Sequence, residues 1–136
     1  MQDIIHTAES FAENFKARGS FDFSIESLKP VDDLLGEVSD FIDEEDALYN
    51  IYTMVGSYIF ETVRRNYGGN YYWLQKEEQP MLVIGEPDYS VAFMAWEKAK
   101  GRILKGSEDN IPFYIDGVIQ QIERGKQQPG LRVQVI

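Results

Sequence analysis

The chain has 136 residues, 43% hydrophobic and 26% charged, with a formal net charge of −10 at pH 7; this is the size and composition of one folded domain with a sizeable core. It contains no cysteine and one histidine, which excludes disulfides, thiolate nucleophiles and cysteine-based zinc sites and leaves any Ser–His–Asp triad dependent on His6 alone. A pI near 4.5 argues against unaided contact with nucleic acid or an anionic membrane, because both need Lys and Arg on the contact face.

The opening MQDIIHTAES has no basic segment followed by an apolar stretch, so it does not read as a signal peptide. No run approaches the ~18–20 apolar residues of a membrane span, and a reducing, cytoplasmic setting is expected. Ile4, Ile5, Ala8, Phe11, Ala12 and Phe15 recur at helical spacing over 3–18, and Gly19 stops the run. Ser24 has the character of an N-cap. Pro30 is unfavourable in a helix interior, which predicts one turn over 25–29 and a main helix starting near Pro30. In that helix Val31, Leu34, Leu35, Val38, Phe41 and Ile42 form one apolar stripe. The four acids at 43–46 suit an exposed link and the start of the next helix, where the macrodipole favours negative charge.

That next helix, about 46–67, is apolar around most of its circumference and is expected at the centre of the molecule. Gly68-Gly69 ends it. Asn70–Lys76 and Met81–Gly85 predict a hairpin around Glu77–Pro80. Helices are then expected near 90–105 (Ala92, Trp96, Ala99, Ile103), closed by Gly106, and near 109–124, closed by Gly125. Leu131–Ile136 alternates apolar and polar residues as a half-buried strand does. The fold class is α+β, with about five helices on a small antiparallel three-stranded sheet, in a single domain over 1–136 without internal repeats.

All of the net charge lies in the first 46 residues, which hold thirteen acids and three bases. Glu26, Asp32, Asp33, Glu37, Asp40 and Asp43 are expected opposite the apolar stripe. Like charges three or four apart repel there, and Lys29 is the one base nearby. Such a face serves solubility or meets a basic protein, where charge speeds encounter and fixes register. The acids lack the spacing of a calcium loop, and neither a metal nor a cofactor is implied. On the central helix Asn50, Thr53, Ser57, Glu61 and Arg64 form a narrow polar seam flanked by Tyr58 and Arg65. This reads as a structural ion pair, or as the lining of a pocket made by Tyr58, Glu61, Arg65 and Trp73. Tyr71, Tyr72, Trp73 and Trp96 are expected mostly in the core, and His6 on the surface.

The stretch VGSYIFETVRRNYGGNYYW at 55–73 resembles the G-x-Y-x-x-E…G-G-x-W element of small uncharacterised bacterial domains. FDFSIESLKPVDDLL at 21–35 and WEKAKGRILKGSEDNIPFY at 96–114 are similar to the flanks of that element. The matching positions are Ser24, Gly56, Tyr58, Glu61, Gly68, Gly69, Glu108 and Asp109. The chain departs from the pattern at Tyr71-Tyr72-Trp73, where the family's aromatic follows the glycines more closely. The resemblance implies a bacterial α+β domain without an established activity, from a group in which some members are associated with toxin–immunity loci. The expected function is therefore a non-enzymatic binding domain whose acidic helix meets a basic protein, with no direct nucleic-acid or membrane contact. The alternative is a small-ligand-binding protein or enzyme built around Glu61, and a homodimer through a sheet edge is a third option.

Overall fold

The computed structural model describes residues 2–136. Helix α1 (Gln2–Asn14) buries Ile4, Ala8 and Phe11, one stripe at i, i+4 and i+7. Phe11 stacks among Phe15, Phe21 and Tyr58, with ring centroids 4.9, 4.9 and 5.2 Å away. The chain then makes a short 3-10 helix, Ile25–Ser27, capped by Ser24, whose hydroxyl accepts the Ser27 N–H at 3.2 Å. Helix α2 (Leu28–Val38) follows directly. Pro30 lies in its first turn, where an N–H is not needed.

The predicted stripe on this helix is correct for Val31, Leu34 and Leu35, all buried. It fails at Phe41, because α2 ends at Val38 and leaves that ring 83% exposed. Helix α3 (Glu45–Tyr67) is the central rod, continuously buried from Val55 to Val63. It ends at Gly68, whose φ of +83° suits a residue without Cβ and whose N–H reaches the Arg64 carbonyl at 2.7 Å.

Strands β1 (Asn70–Leu74) and β2 (Gln79–Ile84) form the expected antiparallel hairpin. Strand β3 (Ser90–Phe93) pairs antiparallel with β2. It corrects the helix expected from residue 90, since helix α4 occupies only Ala95–Lys105. Helix α5 (Ile111–Gln127) follows a 3-10 turn, Gly106–Asp109, and its N-cap Asn110 accepts the Phe113 N–H at 2.9 Å. Gly125, expected beyond this helix, lies inside it and is buried. Strand β4 (Arg132–Gln134) returns to pair parallel with β3.

The sheet thus has four strands in the order β1-β2-β3-β4 and mixed direction. The three-stranded antiparallel expectation is corrected on both counts, while five helices and the α+β class stand. Residues of all five helices and of β1, β2 and β3 meet in one apolar cluster around Tyr58, Phe60, Leu82, Phe93 and Ile115. No described helix is long and apolar enough to cross a membrane.

Candidate functional site

The polar seam of α3 divides into two environments. At the inner end Glu61 is 0% exposed, and both of its oxygens are occupied. Arg64 donates to it through Nε and, at 2.9 Å, through Nη2; Arg65 Nε and the Tyr71 hydroxyl donate at 2.9 Å each. Burial by itself would raise the Glu61 pKa, but hydrogen bonds from Arg64, Arg65 and Tyr71 together hold it below the ordinary glutamate value. Burial, followed by the charge of Glu61, pushes the Tyr71 phenol up, so it stays protonated and donates. Arg65 continues to Glu9 of α1 at 3.1 Å and lies over the Phe23 ring, 3.8 Å from its centroid. Glu61 is thus an internal anchor joining α1, α3 and β1, with no lone pair directed at open space.

Tyr58 is equally closed. Its hydroxyl accepts the Phe23 N–H at 2.9 Å and meets Ser27 Oγ at 2.6 Å. Because Ser27 Oγ donates to the Ser24 carbonyl at 2.6 Å, the Tyr58 hydroxyl is the donor to Ser27. These bonds, with Asn66 Nδ2 on the Phe23 carbonyl at 2.9 Å, hold Phe23 at a φ of +63°, a strained value for a side-chain-bearing residue. Tyr58, Glu61, Arg65 and Trp73 therefore do not line one pocket. Three of them fasten the chain, and Trp73 belongs to another part of the surface.

The acidic residues of α2 are also sorted. Asp32, expected on the exposed face, is 4% exposed. It accepts Arg102 Nε at 2.9 Å, Arg102 Nη2 at 3.3 Å and the Ile111 N–H at 2.9 Å. It thus joins α2 to α4 and supplies an acceptor at the N-terminus of α5, where the macrodipole favours a carboxylate. Asp33 pairs with Lys29 at 2.8 Å and Glu37 with Arg18, both in solvent. Glu26 is exposed in the 3-10 helix that precedes α2. Asp40 and Asp43 lie beyond the helix in an acidic turn continued by Glu44, Glu45 and Asp46. None of these five acids forms an ion pair with a described residue.

At its outer end the seam opens. Thr53 and Ser57 of α3, Tyr49 one turn earlier, Trp73 of β1 and Trp96 of α4 line a cleft of about 290 Å³ with Asp3, Ile4, Thr7 and Pro80. Trp73 is 54% and Tyr49 50% exposed, which corrects the core expectation for Trp73; Tyr72 is exposed as well. Tyr71 and Trp73, two apart on β1, share the sheet face that looks toward α3. Tyr71 meets Glu61, while Trp73 stands 6.1 Å from Trp96 between ring centroids. Trp96 Nε1 donates to Ser57 Oγ at 3.2 Å, which fixes the indole. Its backbone lies so close to α3 that a Cβ on Gly56 would come within 2.9 Å of Trp96 Cα. The contribution of Tyr49 was hidden in the sequence because its partners come from four separate segments. No family model matches the chain, and neither a curated protein nor a solved structure shows significant similarity to it.

Proposed function

We propose that the chain is a non-enzymatic binding domain that meets a basic protein through the acidic turn between α2 and α3, as an immunity protein meets a nuclease toxin. The observation that supports this reading is Phe41, 83% exposed in the run Asp40-Phe41-Ile42-Asp43-Glu44-Glu45-Asp46. A protruding aromatic ring surrounded by acids without ion-pair partners combines an anchor with a charged rim. The contact surface of this reading keeps Asp40 and Asp43, takes Glu26, Asp33 and Glu37 as periphery, and omits Asp32.

The test is affinity capture from the source cells, followed by binding kinetics with the purified basic partner at two salt concentrations. Replacing Asp40 and Asp43 by Asn slows association and flattens its salt dependence. Phe41→Ala speeds dissociation, by about tenfold if the ring is an anchor. The pair Asp33→Asn and Glu37→Gln changes either rate little. Equal capture by all variants, or no saturable basic partner, would sink the reading.

A further inference from the structure

The cleft at the outer end of the α3 seam has a composition that the acidic turn does not account for. Trp73 and Tyr49 each stand nearly perpendicular to Trp96, with interplanar angles of 78° and 79° and centroid separations of 6.1 and 6.4 Å. Three aromatic side chains from α3, β1 and α4 thus line one cleft of about 290 Å³, with Ile4 and Pro80 as further apolar lining and Asp3 as its acidic residue. Two of the rings remain about half exposed, although burying them would be favourable. Trp96 has its single N–H committed to Ser57, so its ring is held without a ligand.

Where rings stand nearly perpendicular beside an open cleft, a guest seated in the corner between them can meet the negative face of a ring that the edge contact leaves uncovered. A cation whose charge is spread over methyl groups loses little hydration on entering such a corner and is attracted by each ring within about 6 Å of its centroid. We propose that this cleft is an aromatic cage that binds an alkylated ammonium group, either a free quaternary amine or the methylated lysine of a peptide. Asp3 supplies the opposite charge. Thr7 and Thr53 add polar lining to the cleft, and the Thr53 hydroxyl donates to the Asn50 carbonyl at 3.3 Å. The proposal rests on Tyr49, Trp73 and Trp96 and not on Phe41 or the acidic turn, so it stands apart from the basic-protein reading.

Isothermal titration at matched ionic strength tests it with choline, with its neutral carbon isostere 3,3-dimethylbutan-1-ol, and with one peptide carrying trimethyllysine or unmodified lysine. Choline is expected to bind saturably and the isostere at least about tenfold more weakly, because only the cation interacts with the ring quadrupoles. Trp73→Ala and Tyr49→Ala, both at half-exposed positions, each weaken choline by about fivefold or more. Trp73→Phe, which keeps a ring, restores most of the affinity, and Asp3→Asn weakens choline without changing the isostere. Circular dichroism and thermal melts of each variant separate lost binding from lost folding. Tighter binding of the trimethyllysine peptide than of choline identifies a protein side chain as the source of the cation; the reverse identifies a free amine. Equal binding of choline and its isostere, or no binding of any cationic probe, overturns the proposal.

Discussion

Glu61 shows how one buried charge is made tolerable. Two guanidinium groups and a phenol occupy its oxygens, so removing the carboxylate leaves donors without their acceptor. Glu61→Gln is expected to lower unfolding stability by about 2–3 kcal/mol in urea titrations, at the low end for a buried pair because Arg64 and Arg65 still reach water. Tyr71→Phe removes one hydrogen bond and costs about 1 kcal/mol. The Glu61 pKa is lowered in the folded state, so its contribution is complete above the unfolded value of about 4.3 and disappears as pH falls through the lower folded value. The stability gap between wild type and Glu61→Gln is therefore constant above about pH 5 and narrows below about pH 4; a gap that widened in acid would contradict the assignment. Asp32 teaches the complementary lesson. It is adjacent to Asp33 in sequence, yet one is interior and the other solvated, because Arg102 lies 70 residues away and Ile111 lies 79. Nothing local distinguishes the two acids, so sequence reading placed both on one face.

Helices α3 and α4 approach closely because α3 has no side chain at Gly56. Alanine there improves helix propensity by about 1 kcal/mol, but its Cβ would lie 2.7 Å from Trp96 Cδ1 and 2.9 Å from Trp96 Cα. The backbone contact cannot rotate away, so Gly56→Ala is expected to lower stability by about 2 kcal/mol net and to weaken choline binding through displacement of Trp96. On α5 two glycines predict opposite signs. Gly117 has no heavy atom within 4 Å of a built Cβ, whereas Gly125 would place one 2.4 Å from Tyr89 Cδ2. Gly117→Ala is expected to stabilise by up to about 1 kcal/mol and Gly125→Ala to destabilise; melting temperatures of the two variants decide this directly. In sequence Gly125 resembles a helix terminator; its place inside α5 follows from Tyr89, which packs where a Cβ would stand. Strand β3 was hidden differently. It has four residues, and Ala92 followed by Trp96 and Ala99 imitates a helical stripe that begins too early. The hairpin and the long helices were legible because their periodicity and turn residues extend over many positions.

For the whole molecule, the concentration of negative charge in residues 1–46 is less uniform than its count. Arg102, Lys29 and Arg18 neutralise Asp32, Asp33 and Glu37, two of these bases coming from outside α2. Among the described residues the longest run of acids without ion-pair partners is the α2–α3 turn; within 1–46, Asp3, Asp22 and Glu26 stand singly elsewhere. Glu44, Glu45 and Asp46 sit at the N-terminus of α3, where the macrodipole favours them, but Asp40 and Asp43 have no such compensation. Their cost is like-charge repulsion, so the double change Asp40→Asn with Asp43→Asn is expected to stabilise the free protein by about 0.5 kcal/mol at low salt. The gain should vanish near 0.5 M NaCl, where the screening length falls to about 4 Å. Asp33→Asn with Glu37→Gln breaks two exposed pairs and should instead be neutral or destabilise by up to about 1 kcal/mol. Urea unfolding of both double variants at two salt concentrations measures the contrast. Opposite signs locate the repulsion in the turn and mark Asp40 and Asp43 as residues that oppose stability, which is the relation expected where a surface serves binding. The same sign in both would mean that the charge acts on the fold as a whole, and the turn would lose its claim to be a separate surface.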